Sequence, residues 1–222
     1  MPRAVLFDAL GTLVRLEPPA PRLRAELTRV AGVDVGDRAA ERGFAAEIAF
    51  YLRNHMRGGD AAGLEALRDD CAAVLHEALG VPGLERAAVR QAMLASLVFT
   101  AFPDAAPALR ELRGAGARVV VVSNWDRSLG RALDQAGLGG LVDGVVSSAE
   151  VGRAKPAPEP FTAGLELAGA RAEDALFVGD SPDTDIEGAR AAGIRALLVA
   201  REGPAPEGVE AVASLERVPS LF

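Results

Sequence analysis

Five short apolar runs punctuate the chain: Ala4–Phe7, Arg118–Val122, Gly144–Val146, Ala175–Val178 and Arg195–Val199. They are continuous rather than alternating, as expected of strands buried on both faces of a parallel sheet. Helix-like segments lie between the later runs, at Pro107–Arg113, Arg127–Ala136, Phe161–Ala168 and Thr184–Ala192. Each stops at a glycine (Gly114, Gly137, Gly169 and Gly193), the residue that most readily ends a helix. Strands alternating with helices of this length predict βαβ units and an α/β core.

The stretch from Pro18 to Leu97 carries a different period. After the proline-rich Glu17–Pro21, one helical face is formed by Leu23, Leu27 and Val30, and a second by Phe44, Ile48 and Leu52. Leu64, Leu67, Cys71, Val74 and Leu75 form a third, and Val89, Met93 and Leu97 a fourth. Glycines at 32–36, 58–59 and 80–83 separate them, so a four-helix bundle is expected as an insertion after the first strand. Phe102-Pro103 marks the return to the sheet.

Composition narrows the function classes. Half of the 222 residues are hydrophobic, ample for a core, and the formal charge is -7. That charge, with acids interspersed among the basic residues, argues against a nucleic-acid partner. No apolar stretch approaches the roughly 20 residues that span a bilayer, and the apolar part of the N-terminus is too short for a signal peptide. With one cysteine, Cys71, there is no disulfide framework. A soluble cytoplasmic protein is the expectation.

Candidate chemistry sits where the apolar runs stop. Asp8 and Ser123 each follow one directly and Asp180 follows one after Gly179, and ligands of open parallel sheets collect at strand carboxyl ends. Lys155 is the one lysine among 24 basic residues. A compact ammonium retained where every other cation is arginine suits a site that needs a small charge beside a phosphate or carboxylate. A carboxylate nucleophile, hard oxygen ligands for a metal, and hydroxyl and ammonium donors are what phosphoryl transfer requires.

Four segments, Phe7-Asp8-Ala9-Leu10-Gly11-Thr12-Leu13, Val122-Ser123-Asn124, Lys155-Pro156 and Val178-Gly179-Asp180-Ser181-Pro182-Asp183-Thr184-Asp185, resemble motifs I to IV of the haloacid dehalogenase-like hydrolases, in order and over essentially the whole chain. The resemblance implies a Rossmann-like core of residues 1–14 and 98–222, with residues 15–97 as a helical cap that closes over the site and selects substrate. It implies Asp8 as nucleophile and Lys155 as the charge-balancing catalytic lysine, with Thr12, Ser123 and Asn124 holding the substrate phosphate. Asp8, the Leu10 carbonyl, Asp180 and Asp185 are implied as ligands of Mg2+, and a small phosphorylated compound as substrate. The sequence is silent on oligomeric state.

One position departs from the pattern. Phosphatases of this family carry a second aspartate two residues after the nucleophile, where this chain has Leu10. Leucine can offer its carbonyl to a metal but cannot move a proton, and general acid–base help is worth about a hundred- to ten-thousand-fold. Good leaving groups, such as aryl or acyl phosphates, should suffer least. Leu10 also resembles metal-independent 2-haloacid dehalogenases, but those place serine and asparagine where this chain has Asp180 and Pro182, and tyrosine in place of Phe161. A non-catalytic interaction protein is a third reading. The phosphonatase branch needs a cap lysine, and this cap has none.

The remaining polar residues carry blander expectations. Asp126 and Glu17 are candidate replacement acids. Trp125 is read as facing the cap or packing in the core, Asp183 as an exposed loop acid, His55 and His76 as surface or satisfied helix residues, and Cys71 as core. Gly137–Gly140 is read as a turn.

Overall fold

The computed structural model describes residues 4–201 and 203–221. Residues 1–3, 202 and 222, assigned to the core from the sequence, lie outside the described residues. In chain order the strands are β1 (Ala4–Phe7), β2 (Val14–Leu16), β3 (Phe99–Ala101), β4 (Arg118–Ser123), β5 (Gly144–Ser147), β6 (Ala175–Gly179), β7 (Arg195–Val199) and β8 (Ala211–Val212). The α-helices are α1 (Pro19–Ala31), α2 (Asp37–Asn54), α3 (Ala61–Leu79), α4 (Arg86–Ser96), α5 (Ala105–Gly114), α6 (Leu129–Gln135), α7 (Ser148–Val151), α8 (Pro158–Ala168) and α9 (Glu187–Ala191). The chain divides into two compact units: residues up to Arg15 together with Phe99 onward, and Leu16–Val98.

The first unit is built on a six-stranded sheet in the order β5-β4-β1-β6-β7-β8, with every pair parallel. Continuous apolar runs make this possible, because successive side chains enter opposite buried faces. Val5, Phe7, Val119, Val121, Leu176 and Val178 pack on one face with α5 and α6. Ala4, Leu6, Val120, Val122, Ala175 and Phe177 pack on the other with α8 and α9. From β1 the chain builds outward through β4 and β5, then returns to the opposite side of β1 with β6. That reversal puts the carboxyl ends of β4, β1 and β6 side by side, where an open α/β sheet forms its ligand crevice.

The second unit holds α1 to α4 around its own apolar core of Leu23, Leu27, Phe44, Leu67, Cys71, Leu75, Val89 and Met93. Proline in the first turn and a left-handed Gly32 delimit α1; Asp60 caps α3 by accepting from Gly63 N–H at 2.7 Å, and left-handed Gly80 ends it. No helix among the described residues is long and apolar enough to cross a membrane.

Several local expectations need correction. Leu52, placed on the apolar face of α2, is 60 % exposed, whereas Glu47 is 3 % exposed. Steps of four residues advance about 40° around a helix, so a 44-48-52 series drifts off the face that 40, 43, 44 and 47 share. The segment read as one helix from Thr184 to Ala192 is a π-helical turn, Pro182–Ile186, followed by the short α9. The three-residue strands β2 and β3, which pair as a separate ribbon, are too short to leave a periodic signature.

Candidate active site

The loop between β1 and β2 starts at Asp8, whose peptide N–H donates to Val178 O of β6 at 2.9 Å. The loop folds back on itself: Leu13 and Val14 N–H both donate to Ala9 O, and Gly11 N–H donates to Val14 O. Gly11 has φ +84°, and a Cβ built there would lie 2.2 Å from Asp180 Oδ2. Glycine is therefore required twice, by the left-handed backbone and by the approach of Asp180.

Ser123 and Lys155 converge on one oxygen of Asp8. Ser123 Oγ donates to Asp8 Oδ1 at 2.9 Å and Lys155 Nζ donates to the same atom at 2.6 Å. Asp8 Oδ2 receives no hydrogen bond among the described residues and is the oxygen left to react or to bind a cation. Lys155 Nζ also donates to Asp185 Oδ1 at 2.6 Å. Asp185 Oδ2 accepts the peptide N–H groups of Asp180 and Ser181, each at 3.1 Å. A Cβ on Gly179 would lie 2.3 Å from that same oxygen, so the glycine that ends β6 leaves room for Asp185. Thr12 Oγ1 donates to Asp180 Oδ1 at 3.2 Å.

Asn124 works through its side chain. Its Nδ2 donates to Lys155 O at 3.0 Å and its Oδ1 accepts from Lys155 N–H at 2.7 Å. This two-point grip on the lysine backbone fixes where the ammonium starts from.

Charge in the site is unbalanced, with three carboxylates facing one ammonium. Lys155 is 3 % exposed, and burial opposes its charge; Asp8 and Asp185 more than offset this and hold its pKa above the ordinary lysine value. Asp180 is open to solvent, yet protein packed around its carboxyl and the nearby Asp8 and Asp185 push its pKa up to about 6. Carboxylate oxygens of Asp8, Asp180 and Asp185 lie within 4.8 Å of one another, an all-oxygen set of the kind a hard divalent cation takes. Of the carbonyls of residues 9–13, those of Ala9, Gly11, Thr12 and Leu13 accept hydrogen bonds, while that of Leu10 accepts none among the described residues. The Leu10 carbonyl is thus an available fourth oxygen; the Leu10 side chain is 43 % exposed.

Other sequence candidates fall outside this cluster. Asp126 is 4 % exposed and accepts from Ser128 N–H at 2.7 Å at the start of α6, which makes it a turn acid. Trp125 packs in the sheet core, edge-on to Phe99 at 4.8 Å between ring centroids. Glu17 is half-buried, with its N–H on Val98 O. Asp183 is exposed. His76 Nε2 is paired with Leu84 O at 2.7 Å. His55 is buried, with Nδ1 paired to the helix carbonyl Leu52 O at 3.0 Å, as expected of a helix residue, and Nε2 without a partner among the described residues. Cys71 is core.

Sequence reasoning passed over one pair. Arg201, two residues beyond β7, donates to Gly11 O, Thr12 O and Asp104. The strand-end rule that picks out Asp8, Ser123 and Asp180 applies equally to Arg201, after the run Arg195–Val199.

Residues 2–193 match the family model for haloacid dehalogenase-like hydrolase. Phosphatase MT3486 of Mycobacterium tuberculosis (strain CDC 1551 / Oshkosh) is 44 % identical over 113 residues, a match spanning 49 % of this chain and 50 % of that protein. Phosphoserine phosphatase of Thermus thermophilus is 31 % identical over 94 % of this chain and 92 % of its own. Among solved structures, a 2-haloacid dehalogenase from Pseudomonas syringae pv. Tomato DC3000 superposes with a TM-score of 0.69 at 22 % identity, covering all of this chain and 98 % of that one, a likeness of fold.

Proposed function

Because the chain belongs to the haloacid dehalogenase-like hydrolases, we propose that it is a Mg2+-dependent phosphatase of a small phosphorylated compound, working through Asp8. The observation that carries this reading is the surplus of negative charge: Asp180 faces Asp8 and Asp185 with a single ammonium among them. A divalent cation relieves that surplus, whereas a haloacid's carboxylate would add to it. Relatives whose names are phosphatases point the same way.

Asp8, Asp180 and the Leu10 carbonyl are the donors proposed for Mg2+. Asp185 lies in the same cluster, and its hydrogen bonds tie Lys155 and the Asp180 loop to it. Bound there, the cation would neutralise phosphate oxygens as charge develops on them. Asp8 attacks phosphorus, a P–O bond to Asp8 forms, and the bond to the leaving oxygen breaks, yielding a phosphoaspartyl enzyme. Water then attacks that phosphorus, releasing inorganic phosphate and restoring the Asp8 carboxylate. The Ser123 and Thr12 hydroxyls, which donate to Asp8 and Asp180 here and would turn to the substrate, and the Lys155 ammonium are the donors proposed for the transferring group. Leu10 supplies no proton, so the leaving group must depart largely unaided. This favours aryl or acyl phosphates over sugar alkoxides. The helical unit is proposed as the substrate-selecting cap.

The competing reading is a metal-independent 2-haloacid dehalogenase, favoured by Leu10. Mass spectrometry of the peptide carrying Asp8, after rapid acid quench during turnover of acetyl phosphate, separates the two. A phosphoryl adduct absent from Asp8→Asn supports the phosphatase. No adduct, together with halide release from 2-chloropropionate in the presence of chelator, contradicts it.

A further inference from the structure

The Arg201–Asp104 pair lies outside the reacting groups but holds the loop that carries them. Arg201 Nε donates to Gly11 O at 3.2 Å, and Nη2 donates to Thr12 O at 2.6 Å. Nη1 and Nη2 donate in parallel to Asp104 Oδ2 and Oδ1, both at 3.0 Å. The guanidinium plane lies over the Phe102 ring, 3.8 Å from its centroid. Asp104 Oδ2 accepts in addition from Ser214 Oγ and Leu215 N–H, each at 2.9 Å. Burial alone would raise the Asp104 pKa, but the bonds from Arg201, Leu215 and Ser214 outweigh it and hold the carboxyl below its ordinary value.

Four of the five guanidinium hydrogens are spent on protein acceptors, which leaves Arg201 poorly equipped to bind substrate. What it does grip is specific. Gly11 and Thr12 are the two residues against which Asp180 rests, one by the close approach at Gly11 and the other by the Thr12 hydroxyl. Leu10, with its unengaged carbonyl, is the residue just before. Both oxygens proposed for Mg2+ besides Asp8 therefore depend on a loop whose carbonyls are anchored by one arginine.

We propose that Arg201, itself fixed by Asp104, is a positioning residue that sets the Leu10 carbonyl and Asp180 at their metal-binding separation. This rests on the Mg2+ reading of the site. Supporting partners of metal ligands typically contribute ten- to a hundredfold in metal affinity. Arg201→Met, which removes all four bonds but keeps an unbranched side chain, should weaken Mg2+ by about that factor. At saturating Mg2+ the KM for p-nitrophenyl phosphate should change less than the Mg2+ affinity does, because Ser123 and Lys155 receive no bond from Arg201, although Thr12 does. Arg201→Lys should recover part of the loss, since an ammonium cannot bridge two carbonyls and a carboxylate in one plane.

The test combines calorimetric titration with Mg2+ and hydrogen exchange. Weakened Mg2+ binding with faster exchange confined to the Leu13 and Val14 amides, while those of β1 are unchanged, is the expected result. Wild-type Mg2+ affinity in folded Arg201→Met, or acceleration spread over the whole sheet, overturns the proposal. Should that variant fail to fold, Asp104→Asn, which leaves the loop bonds in place but unfixes the arginine, must show a smaller shift in the same direction. If the wild-type protein itself binds no Mg2+, the metal reading fails on its own, and unchanged exchange at Leu13 and Val14 in Arg201→Met then refutes the anchor separately.

Discussion

Two cation–carboxylate clusters meet the same loop, one at Asp8 and the other at Gly11 and Thr12, and are built on opposite principles. Around Lys155, Asp8 and Asp185 share one ammonium with Asp180 beside them, and burial of the Asp180 carboxyl together with these two acids raises its pKa to about 6. Around Arg201, one aspartate meets one guanidinium, every Asp104 bond reinforces its charge, and its pKa is lowered. The first cluster is under-neutralised, the surplus on which the proposed Mg2+ site rests; the second is complete. Chemistry sits where charge is left over, and architecture where it is cancelled.

The largest effect is expected from removing the Asp8 carboxylate. Asp8→Asn should abolish ester hydrolysis in a steady-state assay, because no other carboxylate among the described residues occupies its place beside Ser123 and Lys155. Next in size, Lys155→Met should lower kcat by about 10²–10³, the usual loss for a preorganised charge donor. Lys155→Arg should not restore it, since a planar fork cannot enter the gap between Asp8 Oδ1 and Asp185 Oδ1, each 2.6 Å from Nζ.

Leu10→Asp tests the missing proton donor. Turnover of alkyl phosphates should rise by up to about a hundredfold, with p-nitrophenyl phosphate changing far less. An equal change in both substrates would show that Leu10 limits something other than protonation.

The smallest effects separate the two clusters directly, in thermal melts with chelator. Asp180 has a folded pKa of about 6 against 3.8, so its stability contribution is full below pH 3.8 and lost as pH rises through about 6. Asp180→Asn should therefore melt higher at pH 7 by about 2–4 °C, an order of 1 kcal/mol after discounting for solvent screening, and the gain should fade as pH falls below 3.8, where the carboxyl is neutral in the folded and the unfolded chain. Asp104 has the opposite sign. Its lowered pKa stabilises above the ordinary carboxylate range and is lost as pH falls through the depressed value, so Asp104→Asn should melt lower at pH 7.

Much of the first cluster was legible in the chain because the sheet is parallel and buried. Apolar runs with abrupt polar ends reveal Asp8, Ser123 and Asp180 without any knowledge of topology, and a lone lysine stands out against arginine. The second cluster was not, although Arg201 also follows an apolar run. Its meaning lies in bonds to residues 97 to 190 positions away, and an Arg–Asp pair at such distances has no local period. In the helical unit, periodicity locates the four helices but misjudges one face. Phe44 is buried as expected, while Leu52, placed on the same face, is exposed and Glu47 is buried. Burial raises the Glu47 pKa despite a hydrogen bond with Cys71, an arrangement that apolar patterning cannot anticipate.

Hydrolysis of p-nitrophenyl phosphate, measured with Mg2+ and with excess chelator and with Asp8→Asn as control, tests the proposed phosphatase most directly. That ester's leaving group needs little protonation, so Leu10 does not mask the first step. Turnover that requires Mg2+ and vanishes in the variant is the predicted result. Folded protein that leaves the ester intact with Mg2+, or hydrolyses it equally well in chelator, would contradict it.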